Sequence, residues 1–90
     1  MTTVQQVYEV MQRLAPPELA EHWDNPGLLV DCGGEVRRVL VTLDITPEVV
    51  EEAAAKQCTV IVAHHPVIFD PLRRVTAEDG PAMLLQNGIS

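Results

Sequence analysis

Aromatic residues are nearly absent from this chain: one Trp, one Tyr and one Phe in 90 residues. A core must then be assembled from Val, Leu, Ile and Ala, an aliphatic bias that suits parallel strands covered on both faces by helices. Basic charge is scarce too. Six Lys and Arg, scattered from Arg13 to Arg74, face thirteen Asp and Glu, for a net charge of −7. Without a basic stripe, binding to nucleic acid through phosphate neutralisation is not expected, nor is attachment to an anionic membrane surface. A phosphate-bearing substrate stays compatible, because a bound metal supplies positive charge locally. No apolar run approaches the ~20 residues of a membrane span. Met1–Gln6 lacks the basic and apolar regions of a signal peptide, so a cytoplasmic location is the expectation.

Two cysteines, Cys32 and Cys58, make no CxxC pair and are too few for a secreted disulfide framework. Cys58 opens the run Cys58-Thr59-Val60-Ile61-Val62-Ala63 and reads as a small core residue. Cys32 sits in the turn Asp31-Cys32-Gly33-Gly34. The only serine is Ser90, which leaves no candidate for a Ser-His-Asp system. GxGxxG, Walker A and nucleophile-elbow patterns are missing as well.

What is present reads as one α/β domain, residues 1–90, with a partial parallel or mixed sheet flanked by helices. Thr3 and Gln6 form a capping box, and Val4, Val7, Met11 and Leu14 follow at helical spacing. Pro16-Pro17 stops that helix near Ala15, with a short turn over Glu18–Ala20. Leu28-Leu29-Val30 is expected to be a short buried strand, and Val36–Leu43 a second. Thr46 as N-cap and Pro47 at the first helical position start a helix that runs to Lys56. Cys58–Ala63 is the third strand, parallel to the second by this helical crossover. A last helix covers about Pro81–Gln86 and stops at Asn87-Gly88. Thr76 offers an earlier cap for it, while Gly80-Pro81 favours the later start. Ile89-Ser90 falls where another strand should begin, so the reading is of a domain cut short.

The chemistry concentrates at His64-His65-Pro66, directly after a strand, where ligands gather in parallel α/β sheets. Imidazole is a common ligand for divalent transition metals. Adjacent residues at a strand end are expected to diverge, which favours two neighbouring ions, one per histidine. Two polar residues that merely close a strand are the competing reading. Asp44 ends the neighbouring strand and is placed beside His64. Its roles divide among metal ligand, partner to a histidine N–H, general base, or cap of the helix that follows. Trp23-Asp24-Asn25-Pro26-Gly27 makes a sharp turn by composition alone; a functional reading puts Trp23 or Asp24 near a ligand pocket.

These segments in order, from Glu21-His22-Trp23-Asp24-Asn25-Pro26-Gly27-Leu28-Leu29-Val30 through Leu43-Asp44-Ile45-Thr46 to His64-His65-Pro66-Val67-Ile68-Phe69, resemble the motifs of the Nif three-like family. Its bacterial members are described as type 2 GTP cyclohydrolase I homologues, or YbgI-like proteins. The resemblance implies a duplicated α/β fold, a dinuclear metal centre in a cleft and ring-shaped hexamers. It makes His64 and His65 metal ligands, with two divalent ions per full-length subunit. The remaining family ligands are an Asp in a segment like HTNLD, and a His and a Glu near the C-terminus. None of them lies in this chain. The expected full-length function is metal-dependent hydrolysis by activated water on a small-molecule substrate, a purine nucleotide by the cyclohydrolase description. The alternative is a non-enzymatic, metal-containing interaction or regulatory protein. The 90 residues alone are expected to be inactive and to form a homo-oligomer, most simply a dimer.

Overall fold

The computed structural model describes residues 1–90. Its first helix is set by local chemistry. The Gln6 N–H donates to Thr3 Oγ1 at 3.2 Å and the Thr3 N–H donates to Gln6 Oε1 at 2.9 Å, closing the capping box. Strand β1 (Thr2–Thr3) thus passes directly into α1 (Val4–Leu14). The helix ends at Ala15, whose N–H reaches Met11 O, and a 3₁₀ turn at Pro17–Leu19 follows. Val4 is buried with Val36 and Val60, and Val7, Leu28 and Val62 pack against them. Thus α1 lies over one face of the main strands.

The single strand expected over Val36–Leu43 is two strands. β2 (Glu35–Val36) pairs antiparallel with β1, Thr2 opposite Val36. β3 (Val39–Thr42) pairs parallel with β4 (Val60–Ala63), with Val39 opposite Val60 and Thr42 opposite Ala63. The break falls at Arg37-Arg38, both exposed. The two ends of the segment have different partners, and the charged pair spans the step between them. β4 is likewise shorter than Cys58–Ala63: the Cys58 N–H is taken by Ala53 O at the end of the preceding helix, and Thr59 bonds backbone to Arg38 and Ser90 just ahead of the strand.

That helix, α2 (Pro47–Ala55), is the crossover anticipated from Thr46-Pro47. Thr46 Oγ1 accepts from the Val49 N–H at 3.2 Å. Val50 and Ala53 are fully buried. With Val30, Cys58, Ile61, Leu84 and Ile89 they form the larger core cluster, on the opposite side of the sheet from α1. α3 (Gly80–Gln86) contributes Leu84 and takes the later of the two expected starts. Thr76 does not cap it; its N–H instead donates to Asp79 Oδ2 at 2.7 Å.

Leu28–Val30 is not a strand. Leu28 packs on the α1 side and Val30 in the α2–α3 core. The apolar triplet reports burial between two clusters rather than a ladder. Ile89-Ser90 does lie on the second edge of β4. The Ser90 N–H donates to Thr59 O at 2.9 Å, and the Ile61 N–H donates to Ser90 O at 2.6 Å. This is the alternation of one rung of a parallel ladder. Helical cover is incomplete, contrary to the expected two-sided burial: Val41 stays 77% exposed and Leu43 57%. No helix is long and apolar enough to cross a membrane.

Candidate functional site

The parallel pairing ends at Thr42 opposite Ala63, and Leu43-Asp44 and His64-His65 form the bends that follow the two strands. Two backbone bonds tie these bends together, His64 N–H to Thr42 O at 3.1 Å and His65 N–H to Leu43 O at 2.9 Å, and since consecutive N–H groups bond the same neighbour the ladder's alternation has ended there. The carboxyl ends of β3 and β4 therefore finish side by side. Asp44 stands beside His65, one residue beyond the His64 neighbourhood expected from sequence. His65 Nδ1 and Asp44 Oδ1 are 2.7 Å apart. Both side chains are more than half exposed. The carboxylate does not cap α2, since Thr46 fills that position. The Thr42 hydroxyl donates to Asp44 O at 3.1 Å and steadies the turn between β3 and the helix.

The two imidazoles do not splay apart. Their centroids lie 4.8 Å from each other with planes at 86°, edge to face. They have different neighbours nonetheless. His65 turns to Asp44, while His64 lines a groove of about 280 Å³ between α1 and β4. Val7, Tyr8, Met11 and Gln12 form one wall, and Asp24–Leu29 and Val60–Ala63 close the others. Both histidines are exposed. No group of three His, Cys, Asp or Glu side chains gathers closely enough to enclose an ion. The donor set is therefore two imidazoles, a fitting pair for a divalent transition metal but only part of a coordination shell.

The turn Trp23–Gly27 docks on the segment that follows the histidines. Asn25 Nδ2 donates to Ile68 O at 2.6 Å. The Trp23 and Phe69 rings lie 6.4 Å apart and tilted by 45°. Trp23 is not in the groove; Asp24 is. Gly27 has φ +123°, open to glycine at no steric cost. The turn's composition thus serves structure and also frames the groove. Tyr8 and Gln12, four residues apart on α1, are groove residues that the sequence reading did not single out. The only available signal was a lone tyrosine on the flank of an otherwise aliphatic stripe.

Known proteins match over nearly the whole chain. A family model described as Duf34/NIF3 (NGG1p interacting factor 3) covers residues 2–90. A GTP cyclohydrolase 1 type 2 from Helicobacter pylori is 39% identical over 87 residues, covering 96% of this chain and 35% of that protein. A NIF3-like protein 1 from Drosophila melanogaster is 42% identical over 72 residues, covering 78% of this chain and 25% of its own length. The crystal structure of a Staphylococcus aureus hypothetical protein matches with a TM-score of 0.88 at 36% identity, over 98% of this chain and 31% of that one. The chain spans between a quarter and about a third of the length of these relatives.

Proposed function

Because the chain belongs to the Duf34/NIF3 family, we propose that His64 and His65 are ligands of a divalent-metal centre. In a full-length protein of this kind, that centre would be dinuclear and hydrolytic. One observation carries the reading: two exposed imidazoles stand 4.8 Å apart at the carboxyl end of a parallel strand, one of them in the wall of a groove. A bound divalent ion supplies Lewis acidity and lowers the pKa of its water, the chemistry that a hydrolase needs. The residues of this chain hold and orient. Pro66 restricts the backbone of His65 to extended conformations, and the Trp23–Gly27 turn pins the loop beyond. The groove beside His64 receives a small-molecule substrate. A purine nucleotide is the substrate class suggested by the name of the Helicobacter pylori relative. Homo-oligomer formation is part of the same proposal. A second reading, an interaction protein that uses its metals structurally, draws on the family description as an NGG1p-interacting factor.

Zinc titration of the wild type, His64→Ala and His65→Ala tests the metal assignment. Weak binding is expected, since two imidazoles leave most coordination positions unfilled, and either substitution should abolish it. Tight, stoichiometric binding that survives both substitutions would overturn it. Turnover of GTP by a full-length relative, lost on alanine substitution of the paired histidines, would separate the hydrolase from the interaction protein.

A further inference from the structure

We infer that Asp44 is a positioning residue: it holds His65 in one tautomer and leaves Nε2 as the ring's only free donor atom. The inference rests on the metal reading and adds a residue to it. Its basis is the 2.7 Å approach of Asp44 Oδ1 to His65 Nδ1. An ionised carboxylate only accepts hydrogen bonds, so Nδ1 must carry the proton. In a neutral ring Nε2 then carries the lone pair, on the far side from Asp44. Histidines that bind metals commonly donate their other N–H to a carboxylate, which fixes the ring and raises its basicity.

Asp44 is well built for this task. The carboxyl ends of β3 and β4 finish side by side, and the bends just beyond them bring the Asp44 carboxylate onto the His65 ring. The Thr42 hydroxyl bond to Asp44 O holds the backbone from which the carboxylate projects. Thr46 relieves Asp44 of capping α2. His64 has no carboxylate partner. Its ring packs edge to face on His65 and borders the groove. The two adjacent histidines are therefore unequal: one is held by a carboxylate, the other faces the space where a substrate would sit.

The test reads the tautomer directly and needs no metal. Imidazole ¹⁵N shifts are recorded on the metal-free chain at about pH 8.5, well above the ordinary imidazole pKa. The wild type should show His65 protonated at Nδ1. Asp44→Ala should return it toward the Nε2-protonated form of a free side chain. Asp44→Asn should keep the Nδ1 proton, since its amide oxygen accepts the same bond. His64 should be unchanged in all three. Asp44 is exposed, so both variants should fold. Zinc affinity, followed by the imidazole proton shifts, should fall about 10- to 100-fold in Asp44→Ala and recover in part in Asp44→Asn. If His65 keeps one tautomer in Asp44→Ala while zinc binding still requires both histidines, the role of Asp44 is overturned and the metal reading stands. If zinc binding is indifferent to both histidines, the metal reading falls and the role of Asp44 falls with it.

Discussion

Gln57 is the one residue other than glycine with a positive φ, at 60°. It follows α2 at the position where a helix end turns left-handed. The Cys58 N–H donates to Ala53 O at 2.8 Å and the Gln57 N–H to Ala54 O at 3.1 Å, the paired bonds of a Schellman motif. α3 ends the same way. The Ile89 N–H donates to Leu84 O at 2.9 Å and the Gly88 N–H to Leu85 O at 3.2 Å, with Gly88 at φ 66°. In both motifs the residue beyond the turn, Cys58 or Ile89, is buried in the core with the helix residue it bonds. The same geometry is thus built once with glycine and once without. A side chain in the left-handed region costs ~1–2 kcal/mol, and glycine returns about 0.5–1 kcal/mol of that as chain entropy. Gln57→Gly should therefore stabilise the fold by about 0.5–1 kcal/mol. Urea unfolding should show a higher midpoint at unchanged slope. An unchanged or lower midpoint would contradict the strain assigned to Gln57.

At the scale of elements, α3 depends on its surroundings. Seven residues are too short to hold a helix in water, and Asp79 makes no side-chain cap bond. Leu84, 2% exposed, anchors it between α2 and β4. Leu84→Ala should cost about 2–5 kcal/mol, a large share of the stability of a small domain, and should release α3 first. Amide exchange across 80–88 would then rise toward the unfolded rate, whereas retained protection there would refute the anchoring. The same distinction decides which elements are legible in sequence. Thr3 with Gln6, Thr46 with Pro47, and Asn87 with Gly88 place helix ends by bonds within four residues, and those ends are where expected. Leu28–Val30 and the break at Arg37-Arg38 are decided by partners far along the chain, and there the expected strands fail. The site divides in the same way. His64-His65 is visible by its position after an apolar run. The neighbour of Asp44 depends on how the two chain segments bend beyond the paired strands, and there it is His65 rather than His64.

For the whole molecule, the limiting quantity is buried apolar surface. Twelve of the 90 residues are buried, a small core for a domain whose surface-to-volume ratio is already unfavourable. The exposed apolar residues are not scattered evenly. Val39, Val41 and Leu43 stand 42%, 77% and 57% exposed along β3 and its end, and β3 is paired on one side only. An open edge beside an apolar strip is a template for another strand. A second copy is the simplest occupant. A two-fold axis perpendicular to the sheet would bring β3 against its own copy in antiparallel register, closing both edges at once. A contact of two four-residue strands is small, so the dimer should be weak and exchange rapidly. Sedimentation velocity across the micromolar range should show a concentration-dependent shift from monomer to dimer. Val41→Lys should abolish that shift without loss of folding, because Val41 contributes almost nothing to the core and an edge lysine opposes strand addition. A folded monomer at every concentration would show that β3 tolerates its exposed edge unaided. An assembly indifferent to Val41→Lys would place the interface elsewhere, with the exposed Phe69, Leu72 and Val75 as the next apolar surface to test.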